Sequence, residues 1–163
     1  MLPEALTIAA AALLDACAPR GVTIATAESC TGGLIIGCLT EIAGSSAMVD
    51  RGFVTYSNEA KAEMLGVPMD MIRSRGAVSE EVALAMAIGA LAKSNASLSI
   101  AVTGVAGPGG GSPEKPVGLV HFGCAMTGRP TLHERHVFDG GRSAVRRETV
   151  RTALRMMADR LVD

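Results

Sequence analysis

The chain has 163 residues, of which 48% are hydrophobic and only 2% aromatic, and its formal net charge at pH 7 is −1. This length suits one domain, residues 1–163, with a core built mainly from aliphatic side chains. The balanced charge and the scarcity of aromatic rings argue against nucleic acid and anionic membrane surfaces as partners, because these need a basic field or stacking platforms.

The N-terminal segment and the cysteines both point to a cytoplasmic protein. Residues 1–18 are apolar but are interrupted by Pro3, Glu4 and Asp15, and they lack the basic start of a signal peptide, which favours an amphipathic helix. The four cysteines show no C-x-x-C spacing, which predicts reduced, mostly buried thiols. They are Cys17, Cys30, Cys38 and Cys124.

Helices alternate with strands in the first part of the predicted chain, and a hairpin comes late. In order, we predict a helix over 3–18, a strand over 22–27, a helix from 34 to about 43, a strand over 47–56, a short helix over 59–65, a second short turn or helix over 69–75, a helix over 79–94, strands over 98–103, 117–126 and 131–138, and a helix over 143–161. This order predicts an α/β fold, a three-layer α/β/α domain with a mixed, mostly parallel sheet.

Residues 26–34, Thr-Ala-Glu-Ser-Cys-Thr-Gly-Gly-Leu, form a polar turn between a strand and a buried helix. Such a turn can present a nucleophilic oxygen, with Ser29 as the leading candidate, and can aim helix N-terminal N–H groups at a developing negative charge. The alternative is that Ser and Thr only cap the helix while Gly-Gly permits a tight turn. Taken alone, the segment favours the capping interpretation.

Lys61 is the first partner that we consider for Ser29. The predicted strand that ends at Tyr56 and the short helix that carries Lys61 can place a phenol and an amine at one sheet edge. A lysine deprotonates a serine only when it is neutral, so its pKa of about 10.4 must be lowered by desolvation or by a nearby cation such as Arg142. Arg142 can supply that cation or can instead bind a substrate anion. The alternative for Lys61 is a solvated surface charge, which the sequence alone favours.

Residues 104–112, Gly-Val-Ala-Gly-Pro-Gly-Gly-Gly-Ser, form a glycine-rich loop after a predicted strand that ends at Thr103. The loop matches neither a P-loop nor a dinucleotide fingerprint. Its backbone N–H groups can surround an anion, and it can equally be a flexible lid or a hairpin connection. Open α/β sheets place ligands at such strand ends.

The histidines give weak support for a metal. His133 and His136 lie three apart on a predicted strand and so face opposite sides of it, and His121 lies on another strand. We expect no metal and no cofactor.

Several motifs occur together in the order that is typical of one family. They cover residues 26–33, 43–46, 52–61, 65–67, 76–80, 103–108 and 110–118. The chain resembles the CinA C-terminal domain family over essentially its whole length, and in particular its stand-alone amidases.

The resemblance implies hydrolysis of the carboxamide of nicotinamide mononucleotide, which gives nicotinate mononucleotide and ammonia. It implies serine–lysine chemistry carried by Ser29 and Lys61, with Tyr56 beside them. We expect the nucleotide to contact a further set of residues: Thr31, Gly32, Gly33, Ser46, Thr103, Gly104 and Arg142.

The chain departs from the family pattern at Gly109 and Gly141, where relatives often carry a polar residue and Asp, respectively. The second departure bears on how Arg142 is positioned. The alternative function is a non-catalytic nucleotide-binding module or sensor that uses the same pocket. We expect a homo-oligomer, most simply a dimer.

Overall fold

Six α-helices and five strands form the part of the chain that the computed structural model describes, residues 2–162. The helices are α1 (Glu4–Cys17), α2 (Leu34–Thr40), α3 (Asn58–Leu65), α4 (Met69–Arg75), α5 (Glu80–Ala92) and α6 (Arg142–Asp159). The strands are β1 (Ile24–Glu28), β2 (Val49–Val54), β3 (Leu98–Gly104), β4 (Leu119–Met126) and β5 (Leu132–Val137). Every predicted helix and strand is present, and the boundaries differ by a few residues.

The five strands form one mixed sheet in the order β2-β1-β3-β4-β5. Strand β1 runs parallel to β2 and β3, whereas β4 is antiparallel to both β3 and β5. Four strands of this sheet therefore run in one direction, with β4 reversed. The predicted α/β class with a mixed, mostly parallel sheet is confirmed.

The helices cover the two faces of the sheet. One hydrophobic cluster joins the sheet to α1, α2 and α6, and a second joins it to α3, α4 and α5. This is the predicted three-layer arrangement. Aliphatic residues and methionines dominate both clusters, as the composition requires.

Side-chain caps and a close approach explain two local features. Ser57 and Ser79 cap α3 and α5, because their hydroxyls accept hydrogen bonds from the N–H groups of Ala60 and Val82. Gly52 lies inside β2 because a Cβ at this position would lie 2.9 Å from Thr26 Oγ1. The packing of β2 against β1 therefore requires a glycine there.

Two further features concern the thiols and the hydropathy of the helices. All four cysteines are free and buried, as predicted. No helix formed by residues 2–162 combines the length and the apolar character that a membrane-spanning segment needs.

Candidate active site

Strands β1 and β3 end side by side, and the candidate site lies at their carboxyl ends. Glu28 pairs with Val102 in the parallel register, and the Ser29 N–H donates to the Val102 carbonyl at 3.1 Å. Ser29 therefore leaves the sheet next to Thr103. Side chains alternate along β1, so Ser29 faces the layer of α3 and α5 while Glu28 faces the layer of α2.

A cavity of about 240 Å³ opens at this edge of the sheet. Its lining consists of Ser29, Cys30, Tyr56, Asn58, Lys61, Ala77, Val78, Thr103, Gly104, Ala106 and Arg142. Ser29, Lys61 and Thr103 are buried and form its floor. Tyr56, which is 65% exposed, lies at its mouth with the exposed residues Asn58 and Arg142.

Lys61 lies against Ser29 at the floor of the cavity. Its Nζ donates to Ser29 Oγ at 3.0 Å and to the Thr55 carbonyl at 2.9 Å, with longer contacts to the carbonyls of Tyr56 (3.4 Å) and Ser57 (3.5 Å). Helical side chains point toward the N-terminus of their helix, which takes the Lys61 amine back over the residues that precede α3.

The interpretation of Lys61 as a solvated surface charge is wrong, because its side chain is only 1% exposed. Burial lowers the pKa of Lys61 below its usual value, since it penalises the charged form. Burial, not Arg142, therefore lowers this pKa, in the direction that a base requires.

Glu28 holds the turn together from within. Its fully buried carboxylate accepts hydrogen bonds from the hydroxyls of Thr26 (3.1 Å) and Thr31 (2.6 Å). It also accepts from the N–H groups of Ile35 (2.8 Å) and Ile36 (3.0 Å) in the first turn of α2. The side chain that caps α2 is therefore Glu28, not the serine or threonine that the capping interpretation proposed. The expectation that these helix N–H groups face a substrate is wrong for Ile35 and Ile36.

Cys30 follows Ser29 directly and lines the same cavity. Burial raises the pKa of its thiol to about 12. The thiol therefore stays protonated near neutral pH, where only a thiolate is an effective nucleophile. Ser29 is the stronger candidate of the two.

Thr103 and Gly104 end β3 at the cavity. The Thr103 hydroxyl donates to the Ala77 carbonyl at 2.8 Å and so ties the segment before α5 to the sheet. At Gly104, a Cβ would lie 2.7 Å from the Leu119 carbonyl oxygen, so that packing against β4 requires a glycine.

Arg142 begins α6 and reaches the glycine-rich loop, where its Nη1 donates to the Gly107 carbonyl at 2.8 Å. Gly141, the residue before it, provides no side-chain cap for α6. The side chain of Arg142 therefore has a defined position at the cavity mouth without an aspartate at position 141.

Four residues that were predicted to contact a substrate do not line the cavity. Thr31 is buried against Glu28, whereas Gly32 and Gly33 have positive φ angles of 59° and 104° and shape the turn. Ser46 is exposed in the short 3₁₀ turn Ser45–Ala47. The structure brings together Ser29, Lys61, Tyr56, Thr103, Gly104 and Arg142.

Two functional candidates were missed in the sequence. Asn58 lines the cavity mouth. In the sequence, its position three residues before Lys61 on the same helix indicates that the two side chains lie on one helix face, which could have identified it. Arg146 donates to the carbonyls of Cys30 and Thr31, each at 3.1 Å. In the sequence, its spacing of four residues from Arg142 on α6 could have identified it.

The histidines lie outside the cavity lining. His121 Nδ1 is 2.8 Å from His133 Nε2, and His136 contacts Glu134. Within residues 2–162, no group of three or more His, Cys, Asp or Glu side chains is arranged to hold a metal ion.

The model of the CinA C-terminal domain matches residues 6–161. The chain belongs to the CinA C-terminal domain family. A curated member, "Nicotinamide-nucleotide amidohydrolase PncC" of Escherichia coli K12, is 51% identical over 138 residues, which cover 85% of this chain and 84% of that protein.

Other CinA family members are longer or have known structures. A CinA-like protein of Syntrophobacter fumaroxidans is 49% identical over 144 residues, and the matched part spans only 34% of that protein. The crystal structure of the competence/damage inducible protein CihA of Agrobacterium tumefaciens has a TM-score of 0.95 and 52% identity, with 98% of this chain and 97% of that chain covered. The CinA family fold therefore extends over nearly the whole chain.

Proposed function

We propose that this CinA family protein hydrolyses the carboxamide of nicotinamide mononucleotide to nicotinate mononucleotide and ammonia, with Ser29 as nucleophile and Lys61 as proton carrier. The observation that carries the proposal is the 3.0 Å contact between Lys61 Nζ and Ser29 Oγ at the buried floor of a cavity. The relatives named nicotinamide-nucleotide amidohydrolase support the choice of substrate.

The surroundings of Lys61 suit a base. The acceptors of its amine are the Ser29 hydroxyl and main-chain carbonyls, which are all uncharged. A carboxylate would stabilise the ammonium form, whereas burial destabilises it. A neutral Lys61 can accept the Ser29 proton through the same short contact.

The reaction proceeds by acylation and deacylation of Ser29. The oxygen of Ser29 attacks the carboxamide carbon as its proton passes to Lys61 Nζ, and a tetrahedral intermediate forms. Lys61 then returns that proton to the amide nitrogen as the carbon–nitrogen bond breaks, so ammonia leaves and an ester remains on Ser29. Water attacks the ester, Lys61 takes a proton from the water and gives it to Ser29, and nicotinate mononucleotide is released.

The N–H of Cys30 is the proposed donor to the oxyanion of the intermediate. Cys30 lines the cavity, and its N–H donates to no main-chain carbonyl among residues 2–162. An N–H of the residue that follows the nucleophile is well placed for this role, since it lies beside the attacked carbon.

The polarity of the cavity supports binding of nicotinamide mononucleotide with its nicotinamide ring at the floor and its phosphate at the mouth. Thr103 gives its hydroxyl proton to Ala77, so toward a ligand its oxygen acts as an acceptor, which suits the N–H groups of a carboxamide. Tyr56 and Asn58 flank the outer part of the cavity. Arg142 at the mouth offers a guanidinium to the phosphate.

Four wider expectations accompany the proposal. Residues 1–163 act as one amidohydrolase domain, which the match over residues 6–161 supports. Four free, buried thiols suit the reducing cytoplasm. A homodimer stays a prediction, as does a role for Ser46 in substrate binding, and light scattering of the purified protein tests the first.

Ammonia release from nicotinamide mononucleotide by purified protein tests the function. Ser29→Ala should lower turnover by several orders of magnitude without unfolding the protein, because it removes the acylation route. Ser74→Ala, at an exposed serine of α4, is the matched control and should keep wild-type turnover. Binding of the nucleotide without ammonia release would identify a non-catalytic nucleotide-binding module instead.

A further inference from the structure

Arg146 holds the main chain of the turn that carries Ser29. It lies on α6, one helical turn after Arg142, and is half-buried. Its Nε donates to the Cys30 carbonyl and its Nη2 to the Thr31 carbonyl, each at 3.1 Å. A guanidinium suits this task because its donors have a fixed planar geometry, whereas a lysine offers one mobile ammonium.

These contacts restrict the orientation of the peptide groups on both sides of Cys30. The Ser29 carbonyl accepts from the Gly32 N–H at 3.1 Å, and the Cys30 carbonyl accepts from Arg146. Each peptide group is planar, so the Ser29 carbonyl and the Cys30 N–H share one plane. Fixing both planes fixes the direction of the Cys30 N–H.

We propose that Arg146 is a positioning residue that holds Ser29 and the Cys30 N–H in their reactive arrangement. The inference rests on the function proposed above, in which that N–H stabilises the oxyanion. Arg146 does not line the cavity, so it acts through the main chain of the turn. Its contribution is therefore to turnover, and not to affinity for the nucleotide.

The two arginines of α6 have different expected effects because they reach different groups. Arg142 lies at the cavity mouth and reaches the glycine-rich loop. Arg146 reaches the carbonyls that follow the nucleophile. Replacing Arg146 should lower kcat with KM nearly constant, whereas replacing Arg142 should raise KM.

Steady-state kinetics of Arg146→Gln tests the proposal. We expect kcat for ammonia release to fall about 10- to 100-fold, since small displacements of reacting groups cost this much, while KM changes less than about threefold. Arg146→Lys keeps the charge but only one donor group and should fall between wild type and Arg146→Gln. Arg147→Gln is the matched control, because Arg147 is exposed and its side chain has no hydrogen bond or ion pair within residues 2–162.

Amide hydrogen exchange of residues 29–33 gives a second, activity-independent measurement. Faster exchange of this segment in Arg146→Gln, and not in Arg147→Gln, is the expected result. A kcat within twofold of wild type, or a KM increase that accounts for the whole loss, would overturn the proposal. Should Arg146→Gln fail to fold, Arg146→Lys decides on the same two criteria.

The exchange measurement also separates this inference from the proposed function. A wild-type protein that releases no ammonia from the nucleotide would refute the proposed function. The role of Arg146 in holding the turn would then be tested only by amide hydrogen exchange of residues 29–33. Unchanged exchange in Arg146→Gln would in that case overturn it as well.

Discussion

Lys61 lies 32 positions after Ser29 in the chain, yet its amine donates to the Ser29 hydroxyl at 3.0 Å in the interior of the protein. The contact joins the end of β1 to α3, on the face of the sheet that α5 also covers. Through this contact the Lys61 amine can accept the Ser29 proton, and the burial of the amine provides the desolvation that the proposed chemistry needs.

Replacement of Lys61 by arginine should lower activity about as much as replacement by methionine. An arginine keeps the positive charge but does not deprotonate in proteins, so it cannot take the Ser29 proton. General acid–base catalysis contributes about 10²- to 10⁴-fold, and we expect a loss of this order in both variants. Ammonia release measures the loss, and equilibrium binding of the nucleotide should be nearly unchanged. A Lys61→Arg enzyme with most of its activity would leave Lys61 as an electrostatic anchor.

The activity of the wild-type enzyme should increase with pH through the lowered pKa of Lys61. Only the neutral amine can accept the serine proton, and the fraction of neutral amine increases as the pH rises toward that pKa. A profile of kcat/KM for ammonia release between pH 5 and 10 should show one ascending limb. A flat profile over this range would argue against Lys61 as the base.

Burial of Lys61 should also make the free energy of unfolding depend on pH. Because the folded-state pKa lies below the unfolded one, the unfolded state binds more protons between the two values, so stability is lost as pH falls through this window. Lys61→Met should therefore unfold at a higher temperature than wild type at neutral pH, and the difference should shrink as the pH approaches about 10.4. Thermal unfolding at several pH values measures this. A difference that stays constant would show that ionisation is not the cause.

Arg142→Ala should weaken binding of the nucleotide. A charge-assisted hydrogen bond to phosphate contributes about 1.5–3 kcal/mol, so KM should rise roughly 10- to 100-fold. Nicotinamide riboside, which lacks the phosphate, should be affected much less, and Arg147→Ala on the exposed side of α6 serves as the control. An equal loss on both substrates would place Arg142 at the catalytic centre instead.

Glu28→Gln should destabilise the turn. The two carboxylate oxygens accept four hydrogen bonds, whereas a glutamine presents an NH₂ group to two of the same donors. Leaving buried donors unsatisfied costs about 1–3 kcal/mol, which denaturant unfolding can measure. Glu41→Gln, at an exposed glutamate at the end of α2, should have little effect. Equal stability of both variants would show that Glu28 does not hold the turn.

The sequence by itself determined the secondary structure and the family. Apolar alternation marked the strands, because this signal acts between residues that are close along the chain. The ordered motifs indicated the CinA family, and the match over residues 6–161 confirms it.

Only the tertiary structure decided the environment of the functional side chains. Lys61 lies on a short helix with little amphipathic pattern, so the sequence favoured a surface position, and its burial follows from the packing of α3 against β2 and α5. Arg146 contacts the carbonyls of residues more than a hundred positions away, and Glu28 takes the place of the expected serine or threonine cap. Burial and long-range hydrogen bonds depend on which elements the sheet order brings together, and no local pattern of residues carries that information.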